Sequence, residues 1–199
     1  MDGEITGRQG LHEALYQRLV GAGRDGVPVD PNRDFIAQML ASWLVGRGAL
    51  PAFMGLDETP FAAMVAALFP DHGPVAPNSD RAPLEDRYDE SDDVRALLEA
   101  HRAHRAASER WIVEIIAAGC MASDHLWSDL GLFSRPYLTA MMEVNFPELA
   151  GRNTQNMKWK KFLYKQLCEG EGLYVCRAPS CQVCADYARC FILPEEEGE

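Results

Sequence analysis

The chain has 199 residues, a hydrophobic fraction of 47% and a formal net charge of −11. A chain of this length can bury its own core, so metal staples are not needed throughout the fold. The start of the chain lacks the pattern of a secretory signal, and no apolar run reaches the roughly 20 residues that cross a bilayer. We therefore expect a cytoplasmic protein with no membrane partner, and the acidic balance disfavours nucleic acid as a partner.

Residues 1–69 show the three- and four-residue spacing of apolar side chains that is typical of helices. Two such series are Leu11, Leu15, Leu19 and Phe35, Met39, Trp43. A short helix capped by Asp57 and Thr59 is predicted to end at Pro70. Alternating strand patterns are nearly absent, so the predicted fold class is all-α, a helical bundle that begins with three or four N-terminal helices.

Residues 70–92 are interpreted as an acidic, proline-rich linker or long loop, because they have no apolar periodicity to drive packing. Acidity is concentrated here, with a net charge of −6 over residues 70–93. The helical core is expected over residues 93–170. Its longest helix is predicted to run from a cap at Asp92 or Asp93 through Ile116, with Gly119 at the C-terminal cap.

A short helix is then predicted over residues 124–129, another beginning near Ser134 with Pro136 in its first turn, and a last one over residues 156–167. The last helix is amphipathic, with an apolar face formed by Trp159, Phe162, Leu163 and Leu167. Residues 152–165 hold five basic residues and no acid, namely Arg152, Lys158, Lys160, Lys161 and Lys165.

Within this basic patch, Lys158, Lys161 and Lys165 share one side of the predicted helix. A solvated helix face is the simple interpretation of these lysines. The alternative is electrostatic, because a positive patch would attract an oxyanion such as molybdate or an acidic partner protein.

The segment 171–199 is interpreted as a cysteine-rich cluster loop followed by an acidic tail. Its four cysteines, Cys176, Cys181, Cys184 and Cys190, are separated by four, two and five residues. Thiolates at such spacing can converge on one zinc ion or on an iron–sulfur cluster. Zinc sites usually have two knuckles and this segment has one two-residue gap, so the spacing favours an iron–sulfur species without excluding zinc.

Three side chains outside this segment also have chemistry that a metal or proton site could use. Cys120 is predicted to be a buried small hydrophobe. Cys168, at the end of the basic helix, could be a spare thiolate. His125 could serve a second metal or deliver protons, although a hydrogen-bonded structural histidine is the simpler interpretation. The chain has no phosphate-binding glycine loop, GxSxG elbow or HExxH motif, so hydrolytic catalysis has no support.

Residues 152–191, with this cysteine spacing, closely resemble the NifQ family, and so does the segment DHLWSDLGLFSR at residues 124–135. The resemblance implies a protein of nitrogen fixation that binds an iron–sulfur cluster, including a molybdenum–iron–sulfur form, and donates molybdenum to the nitrogenase iron–molybdenum cofactor. It implies no catalytic turnover. Molybdate would be the source, and the cofactor scaffold and iron protein of the assembly machinery would be the partners. By the same resemblance the cluster ligands would be Cys176, Cys181, Cys184 and Cys190.

Two other functions remain open at this stage. One is a zinc-stapled helical interaction module, whose basic helix would dock an acidic partner. The other is an electron carrier similar to ferredoxin, which would hold a stable cluster and take up no molybdenum.

Overall fold

The structure, a computed structural model, describes residues 2–21, 29–75 and 88–170. These residues form nine α-helices and no strand. The helices are α1 (Asp2–Gly21), α2 (Arg33–Leu44), α3 (Glu58–Leu68), α4 (Tyr88–Ala100), α5 (Glu109–Cys120), α6 (Leu126–Asp129), α7 (Arg135–Asn145), α8 (Pro147–Gly151) and α9 (Trp159–Gly170). A short 3₁₀ turn, Ala52–Gly55, lies between α2 and α3. The all-α prediction is confirmed, and the cysteine-rich loop lies outside the described residues.

The core is built around α2 and α5. Every residue of α2 from Phe35 to Trp43 is buried, as is expected of a helix in the centre of a protein. α1 packs on α2, while α4 packs on both α5 and α9. Cys120 at the end of α5 is fully buried, as predicted. No helix in the described ranges is long and apolar enough to cross a membrane.

Buried polar side chains join the start of α2 to α5 and α7. Asn32 Nδ2 donates to Ser108 Oγ at 2.9 Å and to Asn145 Oδ1 at 2.7 Å, and Asn145 Nδ2 donates back to Asn32 Oδ1 at 2.7 Å. All three residues are fully buried. Because a hydrogen-bonded network of this kind has few alternative arrangements, it fixes how these three helices meet.

The predicted long helix from Asp92 or Asp93 through Ile116 is wrong. The structure has two helices here, α4 and α5, and α4 already begins at Tyr88. In the break, the buried carboxylate of Glu109 accepts the backbone N–H groups of His104, Arg105 and Ala106 at 2.6–3.0 Å. These bonds satisfy backbone donors that a continuous helix would have paired with the preceding turn, so they stabilise the break.

Other helix predictions are confirmed with small shifts of their ends. α3 begins after Asp57 and ends before Pro70, and α7 has Pro136 in its first turn. α9 begins at Trp159 and ends at Gly170, about three residues later than predicted at each end. Its predicted apolar face is buried in the bundle, with Leu167 half-buried. The part of the predicted linker at residues 76–87 lies outside the described residues.

Candidate functional site

The chain reaches the four cysteines through α9. Cys176, Cys181, Cys184 and Cys190 lie outside the described residues, so their assignment as ligands stays a prediction. α9 ends at Gly170, six residues before Cys176. In the described ranges, no group of three or more His, Cys, Asp or Glu side chains could hold a metal ion.

One face of α9 carries the basic residues that precede the cysteines. Lys161, Lys165 and Cys168 follow each other at four- and three-residue steps, so they share a face of the helix. Lys165 is exposed and pairs with Glu169 at 3.4 Å, whereas Lys161 and Cys168 are half-buried. Lys158 precedes the helix and its carbonyl oxygen accepts the N–H of Phe162. The structure therefore brings Cys168 onto the same face as two of the three predicted lysines.

Lys160 does not belong to the exposed basic patch in which the sequence placed it. Its side chain is 7% exposed, and Nζ lies 2.6 Å from Oδ2 of Asp129, which is 4% exposed. The same Nζ donates to the carbonyl oxygens of Ala122 at 2.9 Å and Asp124 at 2.8 Å. Three ammonium donors therefore meet three acceptors, which compensates for burying the charge. This Lys160–Asp129 pair fastens the start of α9 to α6 and to the α5–α6 loop (residues 121–125).

The electrostatics of this loop follow from burial and hydrogen bonding. Burial raises the pKa of Asp129, and the hydrogen bond and charge of Lys160 act in the opposite direction. At Asp124, the backbone N–H of His125 and the hydroxyl of Ser128 bind the carboxylate and lower its pKa. The His125 side chain is exposed at the start of α6. The predicted candidate His125 is thus the last residue of the loop that Lys160 binds, directly after Asp124, whose carbonyl oxygen accepts from Lys160.

A cleft of about 560 Å³ is lined in part by α6. Residues from α1, from α2 and the turn after it, and from the segment 127–133 form its walls. Its polar and aromatic lining includes His12, Glu13, Ser42, Arg47, Trp127 and Ser128. Segment 124–135, which carries part of the family resemblance, therefore has two roles, because Asp124 and Asp129 bind Lys160 while Trp127 and Ser128 line the cleft.

A chain of hydrogen bonds crosses the wall of this cleft. Nη1 of Arg47 lies 3.1 Å from Nδ1 of His12, and Nε2 of His12 lies 2.9 Å from Oγ of Ser42. Since a guanidinium only donates, Nδ1 must accept and Nε2 must carry the proton. Ser42 then donates to the carbonyl oxygen of Gly131 at 2.6 Å. The ring of His12 is 8% exposed and packs edge-on against Phe133.

His12 should make the fold sensitive to acid. Burial lowers its pKa, and the charge of Arg47 lowers it further. The unfolded chain therefore binds a proton on His12 at a higher pH than the folded chain does, so stability is lost as the pH falls through about 6.5. We expect the free energy of unfolding in urea to fall between pH 7.5 and pH 5.5, and His12→Gln to reduce this change.

The exposed histidine His125 offers the matched control. His125→Gln should keep the pH dependence of the unmodified chain. An equal change in stability between the two pH values for His12→Gln and the unmodified chain would contradict the role given to His12.

Sequence reasoning missed both the Lys160–Asp129 pair and the cleft. For His12 the only available signal was its helical spacing with Tyr16 and Leu19. The predicted apolar series Leu11, Leu15, Leu19 is wrong at its first member, because Leu11 is 54% exposed while the neighbouring His12 is buried. For Lys160 no local signal existed, because its partner lies 31 residues earlier in the chain.

Comparison with known proteins gives consistent matches. A family model described as NifQ matches residues 35–192. Protein NifQ of Azotobacter vinelandii is 41% identical over 171 residues, which are 80% of this chain and 88% of that protein. The proteins named NifQ from Rhodobacter capsulatus and Klebsiella pneumoniae are 34% and 33% identical and are covered over 90% and 99% of their lengths. No solved structure matches the chain.

Proposed function

Because the chain belongs to the NifQ family, we propose that it is a carrier in nitrogen fixation that binds an iron–sulfur cluster able to take up molybdenum and donates the molybdenum for nitrogenase cofactor synthesis. The observation that carries this proposal is the extent of the family match. It continues to residue 192 and so includes all four cysteines, Cys176, Cys181, Cys184 and Cys190.

These four cysteines would hold the cluster through deprotonated sulfurs, which are soft ligands suited to iron and molybdenum. When bound, a three-iron cluster would supply sulfide ligands that suit a thiophilic fourth metal. The chain itself contributes the anchoring of the segment. The buried face of α9 and the Lys160–Asp129 pair hold the helix that leads to Cys176.

The charge on α9 is consistent with an anionic cargo. Lys161 and Lys165 lie on one face with Cys168, and Lys165 is paired with Glu169. Basic side chains on the helix that precedes the cysteines in sequence would attract both molybdate and a thiolate-ligated cluster. Cys168 would be the nearest additional thiolate. The cofactor scaffold and the iron protein of the assembly machinery are the proposed recipients.

The helical body supports a carrier more than a zinc-stapled module. A carrier has to keep its fold with and without cargo, whereas a structural zinc contributes folding free energy directly. The described helices bury an extensive apolar core that includes Ile36, Leu40, Ile112, Ile116 and Met142. A chain of this length can bury enough apolar surface to fold without a structural metal, so we expect the body to stay folded when the cargo is absent.

Anaerobic purification followed by iron, sulfide and molybdenum analysis tests the proposal. We expect a brown protein with broad charge-transfer absorption, an electron paramagnetic resonance signal of a three-iron cluster, and release of bound molybdenum to cofactor-assembly proteins. One zinc per colourless chain after cluster reconstitution would instead indicate the zinc-stapled module. A stable cluster that takes up no molybdenum would indicate an electron carrier.

A further inference from the structure

We propose that His12 is an acid-sensitive latch that holds α1 against α2, so that protonation of its ring releases the middle of α1 and opens the cleft between α1, α2 and α6. The family match begins at Phe35, so α1 lies outside it. The latch does not involve the four cysteines, and its failure would leave the proposed carrier function unaffected.

The first argument is that the contacts of His12 fit only the neutral ring. Nδ1 lies 3.1 Å from Nη1 of Arg47, and a guanidinium offers donors alone, so Nδ1 has to accept. A proton on Nδ1 would bring two donors and two positive charges together at this distance. Because the ring is 8% exposed, water can screen them only weakly.

Other charged groups nearby do not remove this conflict. The carboxylate of Glu13 is exposed and accepts from Nε2 of Gln17 at 2.8 Å, so solvent weakens its attraction for a charged ring. Asp34 accepts the hydroxyl of Tyr16 at 2.7 Å, and Asp129 binds Lys160. Besides Arg47, the charged and titratable side chains around the ring and the cleft, in the described part of the chain, are Glu13, Tyr16, Asp34, Asp129 and Tyr137.

The second argument is that little else holds the middle of α1. Within residues 10–21, whose side chains the structure describes, only His12 and Leu19 are buried, and Leu11 is 54% exposed. In α5, by contrast, nine of twelve residues are buried. Segments with few buried side chains open most easily, and most helices in proteins depend on tertiary packing for their stability. The middle of α1 is therefore the part that yields.

The third argument is that the segment carrying Arg47 is held in place by its backbone. The N–H of Arg47 donates to the carbonyl oxygen of Ser42 at 2.8 Å, and the N–H of Ala49 donates to that of Asp129 at 2.7 Å. None of these groups titrates near neutral pH. The segment therefore keeps its position when the ring of His12 gains a proton.

The end of α1 is also held by bonds that do not titrate. The guanidinium of Arg33 donates to the carbonyl oxygen of Leu19 at 2.7 Å and to that of Val20 at 3.0 Å. Arginine stays protonated throughout the range in which histidine titrates. Release would therefore move α1 about its last turn and leave it attached to α2 there.

Hydrogen–deuterium exchange of the full chain at pH 7.5 and pH 5.5, expressed as protection factors to correct for intrinsic exchange rates, tests the latch. At pH 5.5, one unit below the usual histidine pKa of about 6.5, we expect residues 10–17 to be about tenfold less protected than at pH 7.5. The reason is that the open form binds a proton that the closed form does not. The protection of α5 should change by less than about twofold.

Three variants identify the group responsible. His12→Gln should remove the difference between the two pH values, whatever its effect on protection itself, because glutamine does not titrate. Arg47→Gln should reduce the difference, since an amide can turn its carbonyl oxygen toward a protonated ring. His125→Gln, at an exposed position, is the matched control and should keep the tenfold difference.

Three results would overturn the latch. The first is equal protection of α1 at both pH values in the unmodified chain. The second is an equal loss of protection in α1 and α5, which would mean that the chain opens as one unit. The third is a tenfold difference that persists in His12→Gln.

Discussion

Cys184→Ala is expected to lose the cluster and the transfer of molybdenum while the helical body stays folded. Removing one of four proposed thiolate ligands should weaken cluster retention by more than about 100-fold, since loss of an outer-shell partner alone typically costs about 10–100-fold. The body should stay folded, because the described helices bury an extensive apolar core. Iron and molybdenum content after anaerobic reconstitution measures the first effect, and circular dichroism with thermal unfolding measures the second.

Two other cysteines provide controls for the same change of side chain. Cys120→Ala, in the buried end of α5, should retain the cluster and show at most a modest loss of stability. Cys168→Ala tests whether the half-buried thiol on α9 assists, and retention of the cluster is expected there too. Normal molybdenum loading of Cys184→Ala would place the site elsewhere.

Helices with a strong local pattern could be predicted from the sequence. The series Phe35, Met39, Trp43 identifies α2, and Pro136 after Ser134 identifies the start of α7. The inner face of α9 follows from apolar spacing alone. In each case the residues that define the helix lie within one to three helical turns of each other, which is the range over which apolar periodicity and capping act.

Features fixed by distant partners could not be predicted in this way. At the break between α4 and α5, the local bonds from the carboxylate of Glu109 are joined by a distant one, because the carbonyl oxygen of Asn145 accepts the N–H of Ala103. Lys160 lies in a run of basic residues, as a surface lysine would, yet its side chain is buried and pairs with Asp129. The cleft likewise combines α1 with residues more than a hundred positions later.

At the proposed cluster site, the ligands can be predicted from the sequence, whereas the anchoring of the helix before them cannot. Cys176, Cys181, Cys184 and Cys190 are recognisable because their ligand spacing is local in sequence. The helix that precedes them, α9, is held in place by contacts with residues that are distant in sequence, such as Asp129. Sequence therefore identifies the residues that would bind the cargo, and the structure adds how the helix before them is held.

Breaking the Lys160–Asp129 pair should cost about 3–5 kcal/mol of unfolding free energy, because removal of one partner leaves an uncompensated charge in the interior. Asp129→Asn leaves the ammonium of Lys160 without its carboxylate, and Lys160→Met leaves the carboxylate without a cation. Both side chains are at most 7% exposed, so water cannot replace the lost partner fully. Chemical denaturation at pH 7 measures the loss.

The exposed pair on the same helix is the control. Lys165 and Glu169 are about half-exposed and 3.4 Å apart, so Lys165→Met should change stability by less than about 1 kcal/mol. A loss of similar size for Lys160→Met and Lys165→Met would contradict the role given to the buried pair.

The double variant Lys160→Met with Asp129→Leu separates charge from hydrogen bonding. Removing both charges should recover a large part of the loss, since buried ion pairs are often replaceable by apolar side chains of similar volume. Recovery should be incomplete, because the carbonyl oxygens of Ala122 and Asp124 still lack the donors that Nζ supplied. If molybdenum loading recovers in step with stability, the pair acts by holding α9 in place. Recovery of stability without loading would show that the bonds from Lys160 to the α5–α6 loop also position the segment that carries the cysteines.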